Sequence, residues 1–289
     1  MRLGLATPVV TGLPGVAGGW EGTASAEELA TIAAAADGLG FDFLTCSEHV
    51  AVPVADRGTR GDIYWDPLAT LAFLAARTMK IRLATSVVVL GYHHPLAIAK
   101  KYGTLDRLSG GRLILGVGVG SLAPEFDLLG APFEARGERA DDALRALRVS
   151  LSEPEPVYAG KFFSYAGMVV RPFALQPRVP IWVGGRTRRS LRRAVELADG
   201  WMPFGLGADE IDAMLERVEL PGNFDIVVGT RGAVDPGGRP EPTREHLHEL
   251  RDTGATAVTC SLLSRSATHY VEQLSALRDL VNDEEGFES

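Results

Sequence analysis

The sequence predicts an α/β fold, specifically a (β/α)8 (TIM) barrel, and three observations carry that prediction. Eight short apolar runs recur along the chain, eight stretches at helical period alternate with them, and 289 residues suit a barrel of about 250 plus insertions. Such alternation implies parallel strands joined by right-handed crossovers. The other closure, an open dinucleotide-binding sheet, would show strand-Gly-x-Gly-x-x-Gly-helix with an acid about 20 residues on. The nearest approach is Gly116-Val117-Gly118-Val119-Gly120, whose glycines alternate at period two as they do on a strand.

The elements follow in order. Leu3 to Thr7 is the first strand, and the helix after it, Ser25 to Leu39, opens with a Ser25–Glu28 capping box. Leu29, Ile32, Ala33 and Ala36 form its apolar face, and Gly38 and Gly40 end it. Strand two, Phe41 to Cys46, leads to the helix Asp66 to Thr78, and strand three, Ile81 to Leu90, to Pro95 to Leu108. Leu113 to Val119 precedes Glu138 to Leu151, and Ile181 to Val183 precedes Thr187 to Ala198. Trp201 to Phe204 pairs with Ala208 to Glu219, Phe224 to Val228 with Thr243 to Thr253, and Ala257 to Leu262 with Ser266 to Val281. Two segments interrupt the alternation. Glu153 to Pro177 reads as a hairpin excursion between units four and five, and Val234 to Pro242 as a turn before the seventh helix. Residues 1–282 are expected to form one barrel domain, with 283–289 a disordered acidic tail.

Composition narrows the function. A net charge of -8 repels nucleic acid on average, although a local basic cluster can hold a small anion. Cys46 and Cys260 lie in separate apolar runs and read as core residues of a reducing compartment; neither a disulfide framework nor a metal site is expected. No run approaches the roughly 18 apolar residues of a membrane span, and no leader is read before Leu3. A cytoplasmic protein is expected.

In this fold the carboxyl ends of the strands build the chemistry. Glu48-His49 stands where strand two runs out, and His93-His94-Pro95 stands in the matching place after strand three. A histidine at such a mouth can serve as general acid or base near neutral pH. Gly184-Gly185-Arg186-Thr187 follows strand five and opens a helix, a pattern suited to a phosphate: close backbone N–H groups, a helix N-terminus and added positive charge. The outer arginines Arg188, Arg189, Arg192 and Arg193 read as a solvated helix face. From the residues alone, Ser86 to Val89 is no more than core.

The blocks "LDRLSGGRLILGVG" (105–118) and "AVELADGWMP" (194–203), with "GFDFLTCSEHV" (40–50), resemble the luciferase-like monooxygenase family, and most of all its branch that uses the deazaflavin F420. The resemblance runs from about Leu3 to Phe204. It implies a barrel with the cofactor across the carboxyl-end mouth and a non-proline cis peptide at Ser86-Val87 backing its ring. By the same implication His49 lies near the reactive ring carbon, with Glu48 tuning or orienting it. The resemblance further implies a phosphate resting on Gly184, Gly185, Arg186 and Thr187, helped by Gly118, Gly120 and Ser121. The family's sugar-phosphate dehydrogenases carry Asp before this histidine and an acid after the glycine matching Gly120. This chain has Glu48 and Ser121, which argues against sugar-phosphate oxidation.

The expected reaction is hydride transfer between F420 and a small organic substrate, with His49 moving the proton. The rivals are an FMN-dependent two-component monooxygenase using reduced flavin and oxygen, and a non-catalytic deazaflavin carrier. A cofactor-free isomerase or aldolase barrel is a further alternative, weakened by the lack of a strand-end lysine for a Schiff base. The resemblance also implies a homodimer, and a flavin or F420 reductase as redox partner. Loops after strands one, two and seven are expected to shape the substrate pocket, with Trp20, Tyr64, Trp65 and Tyr92 as wall or underlying packing.

Overall fold

The computed structural model describes residues 1–282, 286 and 287. Its barrel strands are β1 (Arg2–Ala6), β2 (Phe43–Cys46), β3 (Arg82–Thr85), β4 (Leu113–Gly118), β5 (Ile181–Gly184), β6 (Gly200–Met202), β7 (Asp225–Val234) and β8 (Ala257–Leu262). Each pairs in parallel with its chain neighbours, and β8 pairs with β1, so the ring closes. A two-residue strand, Val88–Val89, continues β3 past a cis Ser86-Val87 peptide and pairs with Val117 and Gly118.

The outer helices are α1 (Ala26–Gly38), α2 (Pro67–Ala75), α3 (Pro95–Leu108), α4 (Arg136–Ser150), α5 (Arg188–Leu197), α6 (Ala208–Leu215), α7 (Pro240–Asp252) and α8 (Ala267–Asn282). The Ser25–Glu28 capping box forms as its spacing predicts. One boundary is corrected. β7 runs on through Gly229 to Val234, and α7 begins at Pro240, so the predicted turn over 234–242 shrinks to the residues between them. Proline's fixed φ suits the first helical position, and a helix can therefore open there instead of at Thr243.

Two layers of core hold the barrel. The larger lies between strands and helices, with Leu44, Leu83, Leu115 and Val183 facing Leu29, Leu71, Ile98 and Leu144. The smaller fills the ring itself: Phe43, Ala84, Ile114, Trp182, Met202, Val227 and Ala257. Phe43 and Trp182 meet edge to face with centroids 5.2 Å apart. A Cβ at Gly4 would stand 2.3 Å from the Phe43 ring, so glycine there makes room for the plug. Burying one such ring contributes roughly 1.5–3 kcal/mol. Phe43, Ile114, Trp182 and Ala257 come from the first or second residue of their strands, while Met202 ends β6 and forms the floor of the space left at the carboxyl end of the ring.

The excursion between units four and five forms the predicted hairpin, Tyr158–Ala159 against Ser164–Tyr165. Asp142 of α4 anchors it, accepting from the Tyr158 hydroxyl at 2.6 Å and the Phe162 N–H at 2.7 Å. Cys46 and Cys260 are buried in the core, and burial pushes both thiols up to about 12. Among the described residues no helix is long and apolar enough to cross a membrane. Most of the predicted acidic tail lies outside the described residues; of it, Gly286 accepts from the Met1 amino group and Phe287 lies under the Arg251 guanidinium.

Candidate active site

Above the plug, at the carboxyl rim, lies a hollow of about 710 Å³. That is the size of a small-molecule site. His49 lines it from the loop after β2, and Gly184 and Gly185 line it from the end of β5, so the two predicted groups share one cavity. Glu48, Ser86, Val87, Gly118, Gly120 and Ser121 line it as well. Val87 sits among glycines: a Cβ on Gly118 would lie 2.7 Å, and one on Gly184 2.9 Å, from its side-chain methyls. The glycines thus make room for Val87, which forms part of the wall.

His49 is held by a residue that sequence reading missed. Its Nδ1 lies 2.7 Å from Glu125 Oε2, on the short helix Ala123–Leu128 after β4. The same carboxylate accepts from the Tyr92 hydroxyl at 2.8 Å and from the N–H groups of Val50 at 2.5 Å and Ala51 at 3.2 Å. Glu125 is 1% exposed. Burial alone would raise its pKa, but the hydrogen bonds from His49, Tyr92, Val50 and Ala51 outweigh it and hold the carboxyl below its ordinary value. An ionised carboxylate only accepts, so Nδ1 carries the proton and Nε2 is the nitrogen left for chemistry. The Tyr64 ring meets the imidazole edge-on at 4.6 Å and fixes it from a second side.

Glu48, the expected orienter of His49, does another job. Its Oε1 lies 2.7 Å from His93 Nε2, and its Oε2 accepts from the Val89 N–H at 2.6 Å. Adjacent residues of an extended segment point to opposite sides, so Glu48 turns toward the loop after β3 while His49 turns toward Glu125. His94 caps α3, its Nδ1 accepting from the Leu96 N–H.

At the end of β5 the structure separates the predicted residues. Gly184 and Gly185 line the hollow, whereas Arg186 and Thr187 are exposed outside it. Thr187 is the N-cap of α5: its hydroxyl accepts from the Ser190 N–H at 3.2 Å. Gly185 has φ +150°, and a Cβ there would lie 2.5 Å from Ser190 Cβ. Close packing on that cap, and not only ligand approach, requires this glycine.

Of the four aromatic residues, Tyr64 and Tyr92 line the hollow. Trp20 and Trp65 pack against the core, and Trp20 Nε1 donates to Ser264. The loops after β1 and β2 and the end of β7 contribute Leu13, Val16, Arg60, Thr230 and Arg231 to the walls, as expected of substrate-shaping loops. Sequence reading missed Glu125, Arg60 and Arg231. The one available signal for Glu125 was its place just past a glycine-rich strand end, at the same rim as His49.

The profile of a family described as luciferase-like monooxygenase matches residues 1–237. A Mycobacterium tuberculosis protein of uncharacterised function is 31% identical over 265 residues, covering 86% of this chain and 92% of that one. A second M. tuberculosis protein, provisionally named a coenzyme F420-dependent oxidoreductase, is 28% identical over 199 residues, covering 64% and 53%. Among solved structures, monooxygenase RslO1 of Streptomyces bottropensis superposes with a TM-score of 0.80 at 22% identity, covering 98% and 99% of the two chains. An F420-dependent secondary alcohol dehydrogenase superposes at 0.77 with 12% identity, covering 97% and 98%. Both show the shared barrel.

Proposed function

The chain belongs to the luciferase-like monooxygenase family and is an oxidoreductase, and from that premise we propose that it binds F420 and passes hydride between it and a small organic substrate. The carrying observation is that the His49–Glu125 pair and the Val87 wall flanked by Gly118 and Gly184 face one largely apolar cavity. The residues fit the group. A flat ring suits the apolar walls beside Val87; the Gly185 N–H is already given to Met202 O at 3.2 Å, so the side-chain-free approach at Gly184 and Gly185 and the N-terminus of α5 are what suit its phosphate. Arg186 and Thr187 would reach that phosphate from the rim. The name of the 28% identical mycobacterial relative points the same way.

When bound, a deazaflavin supplies two-electron hydride chemistry and little activation of oxygen. The protein's part is orientation and proton management. His49 Nε2 takes the proton of an alcohol as hydride leaves the carbon, or returns one to a substrate that accepts hydride. Glu125 steadies the imidazolium formed in the first direction, at Nδ1. Tyr92 and the backbone of the loop after β2 keep that carboxylate in place. Glu48 braces the loop after β3 through Val89 and His93 and so keeps the wall beside Val87 formed.

The test is anaerobic turnover of F420, followed by its fluorescence, on a panel of secondary alcohols, activated alkenes and imines. Loss or recovery of F420 fluorescence with one of these supports the proposal. Oxygen uptake with reduced FMN and no F420 turnover would favour a two-component monooxygenase, and stoichiometric F420 binding without turnover a carrier. A homodimer, and a separate F420 or flavin reductase as redox partner, complete the proposal.

A further inference from the structure

The titratable residues lining the hollow are Glu48, His49, Arg60, Tyr64, Tyr92 and Arg231. Glu48 is committed to His93 and the Val89 N–H, and His49 to Glu125. The guanidiniums of Arg60 and Arg231 make no ion pair or hydrogen bond among the described residues. The cavity therefore presents two guanidiniums with no direct partner among the described residues.

Arg60 is also held in place. The segment that follows it lies antiparallel to the loop after β1: the Gly12 N–H donates to Ile63 O at 2.9 Å, Thr11 bridges Tyr64, and the Trp65 N–H donates to Val10 O at 2.9 Å. Gly61 has φ +81°, and a Cβ there would stand 1.9 Å from Gly12 O, so glycine alone permits this approach. The Tyr64 hydroxyl donates to Arg60 O at 2.6 Å while its ring rests on His49. Of the acids around it, Asp62 pairs with Arg57 at 3.0 Å and Glu125 is saturated by four hydrogen bonds, while Asp56, at the N-cap of the short helix Arg57–Arg60, forms no ion pair with Arg60. The chain thus fixes the backbone of Arg60 on the wall that carries the proton-handling imidazole and leaves its five N–H donors unused. Such a fork matches a carboxylate bidentately. Arg231, at the end of β7, is exposed.

We propose that Arg60 binds an anionic group, a carboxylate first of all, on the substrate, and so positions the reacting carbon beside His49. This rests on the oxidoreductase reading above and adds the substrate class. The tail of F420 is anionic too, and the experiment separates the two sources.

Binding of cinnamate and of its neutral analogue cinnamamide is measured by calorimetry on wild type, Arg60→Gln, Arg60→Lys and Arg231→Gln, with and without F420, alongside the Kd of F420 itself. Wild type is expected to prefer cinnamate by about tenfold, the scale of one hydrogen bond to a charged group. Arg60→Gln should bring the ratio to about one with F420 affinity unchanged, Arg60→Lys should keep part of the preference, and Arg231→Gln most of it. Three results overturn the proposal: no preference in wild type, including no binding of either probe; loss of the preference in Arg231→Gln alone; or weaker F420 binding in Arg60→Gln with the ratio intact, which would give the guanidinium to the cofactor tail. If F420 fails to bind any variant the function proposed above falls, while the probe ratio on the free protein still decides the role of Arg60.

Discussion

At the amino end of the barrel, where helices return the chain to strands, Asp106 accepts from the N–H groups of Leu113, Leu175 and Gln176 and from the Gln176 side chain. Asp37 accepts from three successive N–H groups at Met79, Lys80 and Ile81, and Arg112 donates to the carbonyls of Ala75, Ile81 and Ser109. At the carboxyl end, His49 Nε2, Arg60 and Arg231 meet no partner among the described residues and face a cavity. The difference teaches where each kind of charge works. A carboxylate saturated by backbone donors closes turns and stabilises the fold. Polar groups left without a partner beside an apolar wall add nothing of that kind to stability, which is why the proposed function is built on them.

That contrast can be broken at either end. The largest effect is expected from Asp106→Ala at the amino end, since the residue is 0% exposed and its loss leaves four donors unpaired. Denaturant unfolding should show a loss of about 3 kcal/mol or more, the scale of several buried N–H groups left unsatisfied, with turnover per folded molecule unchanged. A fall in turnover without a fall in stability would erase the distinction between the ends. His49→Ala should do the reverse, lowering turnover by about 10²-fold or more while F420 binding and the unfolding midpoint hold. Unchanged turnover would remove His49 from the chemistry.

Glu125→Gln lies between, because this carboxylate belongs to both classes: it is buried and saturated, yet one of its bonds aims the imidazole proposed to move the proton. Turnover should fall by about 10- to 100-fold. Its folded pKa is depressed, so the stability it contributes is fully present above the unfolded value near about 4.3 and is lost as pH falls through the lower folded value. The gap in midpoint between wild type and Glu125→Gln should therefore be steady at about pH 6 to 7 and close in acid. A gap that widens in acid would contradict the sign. The smallest effect is Gly185→Ala, expected to cost about 1–3 kcal/mol through the contact with Ser190 at the α5 cap. Weaker F420 binding with an intact midpoint would hand that glycine back to the ligand.

Much of this was legible in the sequence because barrel strands buried on both faces read as continuous apolar runs and their helices as period 3.6. The eight runs fall on the eight strands, and the Ser25–Glu28 box starts α1 where it should. His49 and Gly184-Gly185 were legible for a topological reason: both end strands, and strand ends share a rim. What stayed hidden was pairing at long range. Glu125 lies 76 residues from His49, and a lone acid in a short loop helix looks like any solvated residue until the fold closes. Glu48 misled for the opposite reason, since being next in sequence to His49 put it on the other side of the segment. Likewise, the glycine at 185 announced close approach without saying that Ser190 was the partner.

The account turns on one equilibrium measurement: titration of the protein with F420 and with FMN, each oxidised and reduced, followed by fluorescence quenching on wild type and His49→Ala. Saturable F420 binding of equal strength in both proteins, tighter than that of FMN in either redox state, is the predicted result. Preference for reduced FMN, or no saturable F420 binding in wild type, would contradict it.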